Sequence, residues 1–170
     1  MPYPGGNIIR VTPTLSTDAY AASDVLFNFI EIPNAVSNRG GTSMLTAMYV
    51  VDYSDTSSID YKMIFAENNS SELGTINATA NISDANFKAL NPIGYVFLDA
   101  AQGTTSGIVD NLQMFPVLPA SGAQEDGGPN ILLKAAPGST SVYVSGIIVD
   151  GTPTYAADSL QLIFHIKYLD

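Results

Sequence analysis

The chain has 170 residues, with 6 Lys and Arg against 16 Asp and Glu, and a formal net charge of −10. It has no Cys and one His, which excludes disulfides, thiolate chemistry and any two-His metal site within one chain. Six scattered cations cannot supply the counterion release on which nucleic-acid affinity rests, and the same scarcity argues against an anionic membrane surface.

The length is that of one domain, large enough to hold a core without staples. No apolar run is long enough to span a bilayer, and Met1–Arg10 lacks the basic and apolar regions of a signal peptide. Met1–Asn7 reads as a Pro/Gly arm ahead of a domain spanning 8–170. Pro2 and Pro4 favour an extended backbone, and Tyr3 between them offers a large rigid anchor with a polar tip. Pro2, Tyr3 and Pro4 are therefore candidate contact residues for a partner or a neighbouring subunit.

From Asn7 onward the pattern has period 2. Strands are predicted at Asn7–Thr12, Val25–Ile32, Met44–Asp52 and Ile59–Phe65. In the last of these, Ile59, Tyr61, Met63 and Phe65 share a face opposite Asp60 and Lys62. Ser83 can cap a short helix through Ala85, Phe87 and Leu90, which Asn91-Pro92 stops. Further strands are predicted at Ile93–Asp99, Ile131–Ala135, Ser141–Val149 and Leu160–Tyr168. Turns at Asn38–Gly41, Asp126–Pro129, Pro137–Ser139 and Asp150–Pro153 separate apolar runs. Ala100–Ile108 and Pro119–Pro129 read as exposed, mobile loops. Short strands with such breaks predict an all-β antiparallel sandwich or barrel with one short helix near 83–90. Val25–Ile32 is apolar on both sides, with Val25, Phe27 and Phe29 opposite Leu26, Ile30 and Ile32. A monomeric sandwich leaves one face polar, so this strand predicts a subunit contact.

Catalytic inventory is sparse. His165 is the one imidazole, placed mid-strand on the face with Gln161 and Lys167. A triad also needs a nucleophile on a sharp turn and an orienting carboxylate, and no G-x-S-x-G elbow exists. His165 is expected to be non-catalytic, on the polar face of a strand or at a subunit contact. Asp52, Asp55 and Asp60 put three carboxylates in nine residues, which could bind a cation, although EF-hand spacing is missing and a solvated hairpin tip is the plainer account. Paired carboxylates could in principle cleave a glycosidic bond. Gly5-Gly6 and Gly40-Gly41 lack the context of a phosphate cradle. Nine Tyr without Trp leave only a weak carbohydrate-binding signature. No catalytic residue, metal or cofactor is expected.

An ordered set of motifs then stands out: Val11-Thr12-Pro13-Thr14-Leu15-Ser16-Thr17-Asp18-Ala19-Tyr20, Ile32-Pro33-Asn34-Ala35-Val36, Gly40-Gly41-Thr42-Ser43-Met44, Ile82-Ser83-Asp84-Ala85-Asn86, Pro137-Gly138-Ser139-Thr140-Ser141-Val142-Tyr143-Val144 and Gly151-Thr152-Pro153-Thr154-Tyr155. In this order, over most of its length, the chain resembles a family of small structural proteins of tailed bacteriophages, the capsid decoration or cement proteins. The resemblance implies a single-domain, jelly-roll-like β-sandwich. It further implies a homotrimer on the outer surface of the virion, bound to the major capsid protein, with no enzymatic activity. The arm at 1–7 and the loop-like segment 103–129 depart from the common pattern. The alternative reading is a phage adhesin or carbohydrate-binding β-sandwich module.

Overall fold

A computed structural model describes residues 5–54, 59–99, 104–105, 113–116 and 131–169. The strands are β1 (Gly6–Val11), β2 (Val25–Ile32), β3 (Thr42–Asp52), β4 (Asp60–Ala66), β5 (Pro92–Leu98), β6 (Thr104–Thr105), β7 (Gln113–Pro116), β8 (Ile131–Lys134), β9 (Val142–Asp150) and β10 (Leu160–Tyr168). One helix, α1 (Asp84–Ala89), lies between β4 and β5. Four antiparallel pairs are nested in sequence: β1 with β10, β2 with β9, β3 with β8, and β4 with β5. The pairings β10–β3 and β9–β4 join them into two sheets, β1-β10-β3-β8 and β2-β9-β4-β5. Nested pairs split in this way between two sheets form a jelly roll. The short strands β7 and β6 extend the first sheet to six strands, because β8 takes one half of the free edge of β3 and β7 takes the other.

Alternation places the core. Leu160, Leu162, Phe164 and Ile166 of β10 face inward, against Tyr61, Met63 and Phe65 of β4 from the opposite sheet. The Phe65 and Phe164 rings meet edge to face, 6.2 Å between centroids. Apolar area removed from water in this layer is the main stabilising term.

Strand β2 departs from simple alternation. Its pairing with β9 shifts register on both sides of Phe27. Leu26, Phe27, Ile30 and Ile32 all pack into the layer between the sheets, while Val25 and Phe29 face outward. The outward pair is covered by the chain itself. Leu73, Ala80, Ile82, Phe87 and Leu90, from the connection between β4 and β5, pack over Val25, Phe29, Ile64, Tyr143 and Ile147. The second apolar side of β2 is therefore satisfied within one chain and calls for no partner there.

The helix forms as its sequence directs. The Ser83 hydroxyl accepts a hydrogen bond from Asn86 N–H at 3.3 Å, and Asn91, at φ 51°, turns the chain out of the helix before Pro92. Two boundaries differ from the sequence reading. β1 begins at Gly6, which pairs with Lys167 as Asn7 pairs with Ile166, so residues 6 and 7 stand in the ladder; a Cβ at Gly6 would lie 2.9 Å from the Ile166 carbonyl oxygen. Thr104–Thr105 falls inside a segment read as loop, and Gln113–Pro116 was not foreseen as a strand. Backbone pairing recruits Gln113–Pro116 to the free edge of β3 and Thr104–Thr105 to the edge of β7, which leaves no mark in hydrophobic periodicity.

Candidate functional site

Strand β10 carries His165 on the outer face of the six-stranded sheet, between Ile8 of β1 and Ala47 of β3. Its ring packs edge-on against Tyr49, 5.3 Å between centroids. Its backbone carbonyl accepts a hydrogen bond from the Thr46 hydroxyl at 3.0 Å, where the ladder with β3 is irregular. This is the geometry of a packed strand residue, with the ring half-buried beside apolar neighbours.

The acidic stretch is divided. Asp52 is fully buried, and one of its carboxylate oxygens accepts from Ser54 N–H at 2.8 Å and from the Ser54 hydroxyl at 2.6 Å. It thus closes an Asx turn at the end of β3. Asp60 opens β4 and stands opposite Asp150 of β9. Asp55 lies outside the described residues. Among the described residues no three His, Cys, Asp or Glu side chains come together as a metal would require. Pro2, Tyr3 and Pro4 also lie outside the described residues, as do most of Ala100–Ile108, the Pro119–Pro129 loop and the Asp126–Pro129 turn.

Three features escaped residue-by-residue reading. The first is a cleft of about 360 Å³ beside α1, lined by Lys62, Ile64, Phe87 and Pro92–Tyr95. Tyr95 is half exposed there, and the Lys62 ammonium sits 5.4 Å from its ring centroid. The second is the outer face of the six-stranded sheet, which no described segment covers. Ile8 and Leu132 are 49% and 50% exposed on it. Arg10, Lys134, Lys167 and His165 point the same way, and no carboxylate does so among the described residues. The third is the end of the sandwich where β3 gives way to β4 and β9 to β10. Asp60 and Asp150 stand opposite each other in the ladder there, Asp99 follows Leu98 on the next strand, and Asp158 precedes β10; Asp18 lies in the β1–β2 connection that Tyr20 N–H ties to the Pro153 carbonyl, and Tyr53 is 55% exposed. Strand parity in β10 was the available signal for the second feature. The third needs the topology, because its carboxylates come from connections far apart in sequence.

Comparison with protein-family models, curated proteins and solved structures finds no match to this chain. What the molecule shows is its class: an all-β jelly-roll sandwich in which the described residues cover the outer face of one sheet and not that of the other.

Proposed function

We propose that this is a structural virion protein, a decoration or cement protein that binds the outside of an assembled phage capsid as a homotrimer. The observation that carries the reading is the complete jelly-roll strand order, an architecture used in viral shells. The ordered motifs from Val11 to Tyr155 support it, since they resemble the cement proteins along most of the chain. The major capsid protein is the partner, and residues 2–4 are candidate contacts with it. Binding the assembled lattice and not its free subunits stabilises the lattice by mass action, by about 2.7 kcal/mol per site at about 100 times the dissociation constant.

Imaging purified virions and counting copies tests this reading. A decoration protein covers the shell at regular lattice positions in many copies, whereas a few copies confined to the tail would overturn it. The cleft with half-exposed Tyr95 and Phe87 favours a second reading, carbohydrate binding, because sugar faces stack on aromatic rings. A glycan-binding screen in which Tyr95→Ala abolishes a hit would move the assignment there.

A further inference from the structure

The outer face of the six-stranded sheet and the carboxylate end are complementary in charge and in shape of chemistry. The face is apolar across its middle, where Met44, Ala47 and Tyr49 of β3 and Ile163 of β10 are half-buried, and Ile8 of β1 and Leu132 of β8 flank it about half exposed. It holds three of the six Lys and Arg of the chain, Arg10, Lys134 and Lys167. The other end inverts this arrangement. There one large aromatic side chain, Tyr53, stands among carboxylates. Its backbone N–H donates to the Ser159 carbonyl at 2.8 Å, which sets it beside Asp158. Asp99 follows β5, Asp60 opens β4 and Asp150 closes β9, on three adjacent strands. An aromatic anchor rimmed by one sign of charge matches an apolar patch rimmed by the other, which is the anatomy of a protein–protein contact.

We propose that copies of this chain associate through unlike surfaces: the carboxylate end of one sandwich, led by Tyr53, seats on the outer face of the six-stranded sheet of the next, which no described segment covers. The occupant of that face is a second copy because the complement it needs is carried by the same chain. The net charge of −10 does not forbid this. At physiological ionic strength the screening length is about 8 Å, so charges at the contact outweigh the remainder. A contact between unlike surfaces is heterologous and forms a ring when successive rotations close. The inference rests on the proposed function for there being a homo-oligomer, and adds which surfaces meet.

The test is the mass of the purified full chain by light scattering across a concentration series, with four variants. Lys134→Glu with Lys167→Glu reverses the face, and Asp18→Lys with Asp150→Lys reverses the end. All four of these side chains are exposed, so the fold should survive, which circular dichroism checks. Each pair should weaken association by at least about tenfold, because like charges then face each other. All four changes in one chain should restore it. Tyr53→Ala should weaken association by about tenfold through loss of the anchor. An oligomer indifferent to both charge reversals, or not restored by their combination, overturns the contact and leaves the homo-oligomer standing. A monomer at every concentration overturns the contact and the trimer together. An oligomer governed by these charges that does not co-sediment with capsids supports the contact and overturns the capsid reading.

Discussion

Single atoms decide the fit at two positions. Gly146 sits in β9 where a Cβ would lie 2.6 Å from Cε1 and 3.0 Å from Cζ of Phe27. The Phe27 ring therefore occupies the space a side chain at 146 would take, and this lets a residue beside Leu26 share the inner layer with it. Gly146→Ala should cost about 1–3 kcal/mol by overpacking, read as a lower denaturant midpoint. Phe27→Leu in the same chain should recover part of that loss, giving a double-mutant cycle with a clear coupling term. Tyr20 is the second position. Its hydroxyl accepts from Ser16 N–H at 2.7 Å and donates to the Leu26 carbonyl at 3.1 Å, pinning the β1–β2 connection to β2. Tyr20→Phe leaves both partners short and should cost about 1–3 kcal/mol. Burial pushes the Tyr20 phenol up, the Ser16 N–H bond pulls it back in part, and the Asp24 carboxylate adds to the rise. A folded pKa above the unfolded one means the stabilisation is complete below the unfolded value and is lost as pH rises through the folded one. Stability should accordingly hold to about pH 10 and fall beyond it. The fall should be shallower in Tyr20→Phe, as alkaline denaturation curves of the two proteins would show.

At the scale of elements, the connection between β4 and β5 is the part whose role the sequence hid. The strands themselves were legible, because Ile59–Phe65 and Leu160–Tyr168 alternate cleanly and each buries one face. The helix was legible through Ser83 and Asn91-Pro92. Both apolar sides of β2 were visible as well, but period alone does not say what covers the second side. Leu73 and Leu90, 17 positions apart in a polar stretch, do so only once the chain has folded back over Val25 and Phe29. Likewise His165 could be placed on a strand but not among its neighbours, since Tyr49 and Ile8 reach it from β3 and β1. Leu73 is held in place by backbone bonds as well. Its carbonyl accepts from Asn81 and Ile82 N–H, and its own N–H donates to the Asn28 side chain at 2.9 Å. Leu73→Ala or Leu90→Ala should cost about 2–5 kcal/mol, because each leaves a void under the cover. Hydrogen exchange should then show the amides of 67–91 opening ahead of those in β4 and β9, which keep the layer between the sheets. Uniform loss of protection across both sheets would show instead that the cover and the sandwich unfold as one unit.

For the whole molecule the decisive question is whether it strengthens a shell. A protein that binds only the assembled lattice raises the temperature at which the lattice comes apart, and does so in proportion to occupancy. Residues 2–4 precede the first ladder residue, Gly6, so removing them takes nothing from the pairing of β1 with β10. The chain without residues 2–4 should therefore melt at the temperature of the full chain. If Tyr3 anchors the shell contact, its loss should weaken retention on capsids by about tenfold, the usual scale for one buried aromatic anchor. If the protein is the trimer proposed above, three copies of the arm act together and the loss in avidity should exceed that for a single site. Two measurements separate the outcomes: co-sedimentation with capsids lacking the protein, and the temperature at which those capsids release their contents. Full-length protein should raise that temperature, and the shortened protein at the same concentration should raise it less. Supplying the shortened protein at a concentration raised by the measured loss in affinity should close the gap, since occupancy and not a separate contact sets the stabilisation. Equal retention of both proteins would make residues 2–4 a tail with no part in binding. Equal retention without any rise in release temperature would make the protein a passenger on the shell.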